Sequence, residues 1–190
     1  MARAAIIGVS DHGGWAVLVT ADRAGTIFDR RRVELVDEGL PKIPHHSEGQ
    51  LLPLDEAVRL VERVQASAEK RSVAALDSVA ATLPGCTLGV ALRRCPELPP
   101  TIAGRIRDYR ARNAADWVMY RRALAAAAEA RGWRVHWYDA RSVSALAGRV
   151  LGLDFDGYFA ALRRSIGPPW GQDQKIAMAA AVAVAGGPAA

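Results

Sequence analysis

The stretch from Ala4 to Thr20 constrains this chain more than any other. An apolar run rich in β-branched residues, Ala4-Ala5-Ile6-Ile7-Gly8-Val9, meets Ser10, Asp11, His12 and the pair Gly13-Gly14. A second apolar run, Trp15-Ala16-Val17-Leu18-Val19-Thr20, begins at once. This is the pattern of a buried strand turning into its hairpin partner. It leaves Asp11 at a strand end beside a bend, where glycine backbone lets a ligand approach closely. Such a place suits metal or phosphate chemistry, and it equally suits an ordinary turn Asp ahead of two glycines.

The segments that follow alternate between strand and helix signals. Ala21 to Gly25 is a turn, and Thr26 to Val36 reads as a third strand, so three strands joined by tight turns form an antiparallel meander. Pro41 to Gln50 has two prolines and no period, which predicts a loop. Asp55 to Glu69 carries apolar residues at helical spacing with acids in its first turn, and an alanine-rich stretch to Leu83 continues it or forms a second helix. Cys86 to Leu92 is a short continuous apolar run, as expected of a central strand covered on both faces. A loop follows from Arg93 to Pro100. Thr101 caps a helix through Ile102, Ile106 and Tyr109, and a strongly helical segment runs from Ala114 to Arg131, stopped by Gly132. Trp133 to Asp139 is the last strand. Helices are expected from Ser142 or Ser144 to Leu151, over Phe155 to Arg164, and, after the break at Gly167 to Gly171, over Gln172 to Ala185.

At 190 residues and 51% apolar, the chain suffices for one core and is too short for two. The expectation is a single domain over 1–187 with a C-terminal tail at 188–190. The balance of 25 Lys and Arg against 20 Asp and Glu gives +5. The cations are nearly all Arg, with Lys only at 42, 70 and 175. Arginine suits bidentate phosphate recognition, which admits a nucleic-acid partner, although a GC-rich genome also favours Arg over Lys. Cys86 and Cys95 are too few for a zinc site or a disulfide framework, so a reducing cytoplasm is the expected location. The N-terminal apolar run meets Asp11 too early for a signal peptide, and Ile176 to Ala185 is about half the length a bilayer requires. No membrane association is expected.

The order of three strands, helix, strand, helix, strand and further helices resembles the ribonuclease H-like fold, and within it the Holliday-junction resolvases and the resolvase-like proteins related to them. Ile6 to Gly13 is similar to that fold's opening strand, which ends in a metal-binding Asp and a glycine turn. Val135 to Ser142 resembles the strand that ends in Asp-Glu-Arg and a Ser or Thr. Gln172 to Ala181 resembles the last helix, which an Asp opens ahead of small apolar residues. The resemblance implies an α/β fold with a mixed five-stranded sheet, the antiparallel meander plus two parallel strands, flanked by helices. It also implies a nuclease, a hydrolase that binds structured nucleic acid, and a homodimer suited to a two-fold substrate. In the family the first acid stands two residues after the strand's glycine, which is Ser10 here, with Asp11 one place further on and facing the other way. Ala140 stands where the family has its Glu.

Hydrolysis of a phosphodiester with two divalent metals needs several carboxylates converging from different elements, because Mg²⁺ or Mn²⁺ prefers hard oxygen ligands. Asp11, Asp139 and Asp173 are the candidate catalytic and metal-holding residues, meeting at one sheet edge if the first and last strands are neighbours. Each also has an ordinary role, as turn residue, strand-end acid or first-turn helix acid. His45, His46 and Glu48 are additional candidates for a base or ligand, although adjacent histidines point apart. Glu97, past the fourth strand, lies where the family often carries an acid. For nucleic-acid binding the candidates are Arg93, Arg94, Arg141 and Lys175, with further arginines at 30–32, 105, 107, 110, 112, 121 and 122. The tryptophans read as core or interface anchors, with Trp170 beside Asp173 the most suggestive. Two functions follow: a Mg²⁺-dependent nuclease, or a catalytically silent domain of the same fold that binds nucleic acid or a protein partner. A sugar-kinase-like use is disfavoured by a single copy of the fold and the lack of a Walker-type loop.

Overall fold

A computed structural model describes residues 3–84 and 86–186 of the chain, so the expected tail at 188–190 lies outside the described residues. Five strands form one sheet: β1 (Arg3–His12), β2 (Trp15–Ala21), β3 (Ile27–Glu34), β4 (Cys86–Arg93) and β5 (Arg134–Tyr138), in the order β3-β2-β1-β4-β5. The first three pair antiparallel, and β1 with β4 and β4 with β5 pair parallel. The opening strand is therefore central, and β4 separates β1 from β5. The expectation that the first and last strands are neighbours is corrected on this point.

Helices cover both faces. Helix α1 (Leu54–Thr82) is continuous through the alanine-rich stretch and packs with α3 (Tyr109–Glu129) on one face, over Ile7, Val9, Leu18, Val90 and Leu92. Helix α6 (Gln172–Ala185), with α4 (Val143–Leu151) and α5 (Phe155–Ile166), covers the other, over Val17, Val19, Ala91 and Tyr138. The period of two along β1 sends Ile7 and Val9 to the α1–α3 side and Gly8 to the α6 side. A Cβ on Gly8 would lie 1.8 Å from the Ala177 carbonyl oxygen, so α6 reaches the sheet only because glycine faces alanine there.

The expected helix through Ile102 and Tyr109 is divided. Thr101 caps the short α2 (Ile102–Arg107) by accepting from Gly104 N at 3.0 Å. Asp108 then caps α3, accepting from Arg110 N and Ala111 N at 2.8 and 3.0 Å, so α3 begins five residues before Ala114. An Asp inside a helical pattern competes for backbone donors and starts a new helix.

Candidate functional site

The carboxyl end of β1 sends neighbouring side chains to opposite faces. Asp11, 4% exposed, points to the α3 side, where its Oδ2 accepts from Arg121 Nε at 2.8 Å. Arg121 also donates to the Arg94 carbonyl at 3.4 Å. Burial raises the Asp11 carboxyl above its usual range, opposed by the charges of Arg121 and Arg93. Ser10 points to the α6 side and donates to Asp173 Oδ1 at 3.0 Å. His12 Nε2 lies 2.7 Å from the same oxygen, and its ring stacks on Trp15 at 4.0 Å between centroids. Ser10, not Asp11, therefore faces Asp173.

Asp139 stands apart from both. It is exposed, follows the edge strand β5, accepts from Arg141 N at 2.8 Å through Oδ1, and offers its carbonyl to Val143 N at the start of α4. The three acids are thus distributed over two faces and an exposed turn. Among the described residues no group of three or more His, Cys, Asp or Glu side chains is placed to hold a metal ion. The donor chemistry agrees. Asp173 has a serine and a histidine beside it rather than a second carboxylate, which does not suit Mg²⁺. The buried, unpaired Oδ1 of Asp11 lies under the charges of Arg121 and Arg93, which repel a cation. The residues present do not fit the divalent-metal site that the resemblance implies.

The remaining candidates separate in the same way. His45 is fully buried and His46 exposed. Asp116 on α3 accepts from His45 Nδ1 at 2.8 Å, from His45 N at 3.0 Å and from His46 N at 3.1 Å, so this pair anchors the loop before α1. Glu48 is exposed at the start of a 3₁₀ turn, Glu48–Leu51. Lys175 is held by Asp156 at 2.6 Å. Arg93 is half-buried, with an enclosed Nε, and its charge acts on Asp11 and Tyr138. The Tyr138 hydroxyl donates to the Val9 carbonyl at 2.7 Å, and burial pushes its pKa up to about 12. Arg141 is exposed.

The arginine run of β3 is mostly structural. Arg30 donates to the carbonyls of Gly167 and Pro169, both at 2.9 Å, and Arg31 pairs with Asp29 at 2.7 Å. Trp170 is buried and stacked on Phe159. Where β4 and β5 end, however, Arg94, Cys95, Arg122 and Trp137 line a cleft of about 540 Å³. Trp137 is 41% exposed, and neither Arg94 nor Arg122 has an ion-pair partner among the described residues. Burial pushes the Cys95 thiol up, so it is a neutral wall of the cleft. Trp137, expected as a core or interface anchor, is open to solvent on one side. Its position near the end of a five-residue edge strand was the available signal that its outer side stays open.

No protein-family model and no curated protein matches the chain. Among solved structures, Thermus thermophilus RuvC in complex with a Holliday junction substrate aligns with a TM-score of 0.51 at 14% identity, covering 97% of this chain and 94% of that one. A second Thermus thermophilus RuvC structure gives 0.47 at 13% identity over 96% and 93%. An inorganic polyphosphate/ATP-glucomannokinase from Arthrobacter sp. strain KM gives 0.39 at 15% identity over 80% and 50%. The first likeness, with the strand order above, defines the class: the fold is ribonuclease H-like. Within that class the chain is similar to the RuvC Holliday-junction resolvase in fold.

Proposed function

We propose that this domain binds structured nucleic acid at the Arg94–Arg122–Trp137 cleft and lacks metal-dependent nuclease activity. The observation that carries the reading is the cleft: two guanidiniums without carboxylate partners among the described residues flank an exposed indole at the carboxyl ends of parallel strands. Guanidiniums hold phosphates in bidentate fashion, and an indole stacks a base. A ribonuclease H-like fold shared with a protein solved on a Holliday junction supports the same substrate class.

The division of the acids supports the silent half. Hydrolysis by metal-held carboxylates needs them on one face, whereas Asp11 is occupied by Arg121 and Asp173 by Ser10 and His12. The test is fluorescence anisotropy with labelled four-way junction, duplex and single strand across a salt series. The wild type binds with an affinity that falls as salt rises, and Arg94→Gln with Arg122→Gln lowers the log–log slope by about two. Absence of binding at low salt refutes the first half. Mg²⁺- or Mn²⁺-dependent cleavage that Asp173→Asn abolishes refutes the second.

A further inference from the structure

A second recess, of about 250 Å³, opens on the other side of Arg122, between α1, α2 and α3. Arg105 of α2, Arg122 and Met119 of α3, and Gln65 and Glu69 of α1 line it. The carbonyls of Thr101 and Pro100 accept from Arg105 Nε and Nη2 at 3.2 and 3.4 Å, which fixes this guanidinium in place. Glu69 accepts from Gln65 Nε2 at 3.1 Å, and no ion pair joins it to either arginine among the described residues. Two guanidiniums thus share one small recess with a single carboxylate. Burial, and after it the neighbouring Arg122 charge, hold Arg105 below its ordinary value. Arg122 lines both hollows, so Arg94, Arg122 and Arg105 form a continuous cationic path from the end of β4 across α3 to α2.

We propose that this path holds successive phosphates of a single strand, with an unpaired base stacked on Trp137, one phosphate between Arg94 and Arg122, and a later one between Arg122 and Arg105. The inference rests on the nucleic-acid reading of the first cleft and specifies its substrate as an unpaired segment. Stacking on an indole needs a base free of its partner strand, and a recess of this size admits a backbone but not a duplex.

The test is anisotropy with thymidine oligonucleotides of increasing length, with duplex as comparison, on wild type, Arg94→Gln, Arg105→Gln, Arg105→Lys, Glu69→Gln and Trp137→Ala. Arg94→Gln weakens every length. Arg105→Gln weakens only the longer ones, by about tenfold, and lowers their salt slope by about one, while Arg105→Lys retains the slope. Glu69→Gln, which removes the opposing charge, tightens the longer ones and keeps the path testable if Arg105→Gln does not fold. Trp137→Ala weakens single strands more than duplex. Unchanged binding by Arg105→Gln and Glu69→Gln at every length, with Arg94→Gln still impaired, overturns the path and leaves the first cleft standing. Duplex bound as tightly as single strand overturns the unpaired-segment assignment. A wild type that binds no nucleic acid overturns both readings.

Discussion

The ion pair between Asp11 and Arg121 is the clearest place to separate a structural acid from a catalytic one. Both residues are buried, at 4% and 6% exposure, with Nε and Oδ2 at 2.8 Å. Asp11→Ala leaves the Arg121 cation in a low-dielectric site without its carboxylate, facing the Arg94 carbonyl at 3.4 Å and the Cys95 thiol. Removing one partner of a buried pair costs about 3–5 kcal/mol. At about 2–4 °C per kcal/mol for a domain of this size, the melting temperature falls by roughly 6–20 °C. Replacing both partners with apolar residues of similar length, Asp11→Leu with Arg121→Met, recovers most of that loss because no unpaired charge remains. Urea unfolding monitored by tryptophan fluorescence gives the four corners of the cycle. A loss below about 1 kcal/mol for Asp11→Ala, or a double variant as unstable as the sum of the singles, refutes the assignment of Asp11 as one half of a structural pair.

Three further outcomes follow from contacts already described. Asp116→Ala removes the acceptor for His45 N, His46 N and His45 Nδ1, and is expected to cost about 2–4 kcal/mol and to accelerate amide exchange at His45 and His46 ahead of the global rate. Gly8→Ala forces a methyl into the Ala177 carbonyl and is expected to cost about 3 kcal/mol or more by thermal unfolding, with the loss falling on the α6 contact. The bonds from Ser67 and Arg71 lower the Asp37 carboxyl below its usual range. Its folded value lies under its unfolded one, so its contribution is present above about pH 4 and is lost as pH falls through the folded value. Melting temperatures of wild type and Ser67→Ala measured downward from pH 6 should converge at the acid end, and a constant gap counts against the linkage.

The fold was legible because its signals are periodic and local. The β-branched runs, the glycines of the first hairpin and the Gly171 break before α6 place the strand meander and the last helix without knowledge of tertiary contacts. The break at Asp108 was less visible, since a capping Asp differs from a solvated helical Asp only in its backbone angles. The site was harder because its content is pairing across distance. That Ser10 and Asp11 face opposite ways follows from the period of two, but which of them meets Asp173 depends on the side α6 takes. Nothing in the sequence joins Asp11 to Arg121 across 110 positions, or His45 to Asp116 across 71. The expected adjacency of the strands that carry Asp11 and Asp139 was not legible, because β4, distant from β1 in sequence, inserts between them. The cleft was half legible, since Arg94 and Arg122 stood out as cations while Trp137 read as a core or interface anchor.

The carboxylates are divided across the sheet, with Ser10 at the place facing Asp173. A Mn²⁺ series of thermal unfolding on wild type, Asp11→Asn and Ser10→Asp tests this division most directly. Ser10→Asp sets a second carboxylate against Asp173, so metal is expected to raise its melting temperature saturably, with about 2.7 kcal/mol recovered at a hundredfold excess over Kd. The wild type has no such carboxylate pair, so its melting temperature is expected not to move with Mn²⁺. A saturable rise in the wild type that Asp11→Asn removes would contradict the division.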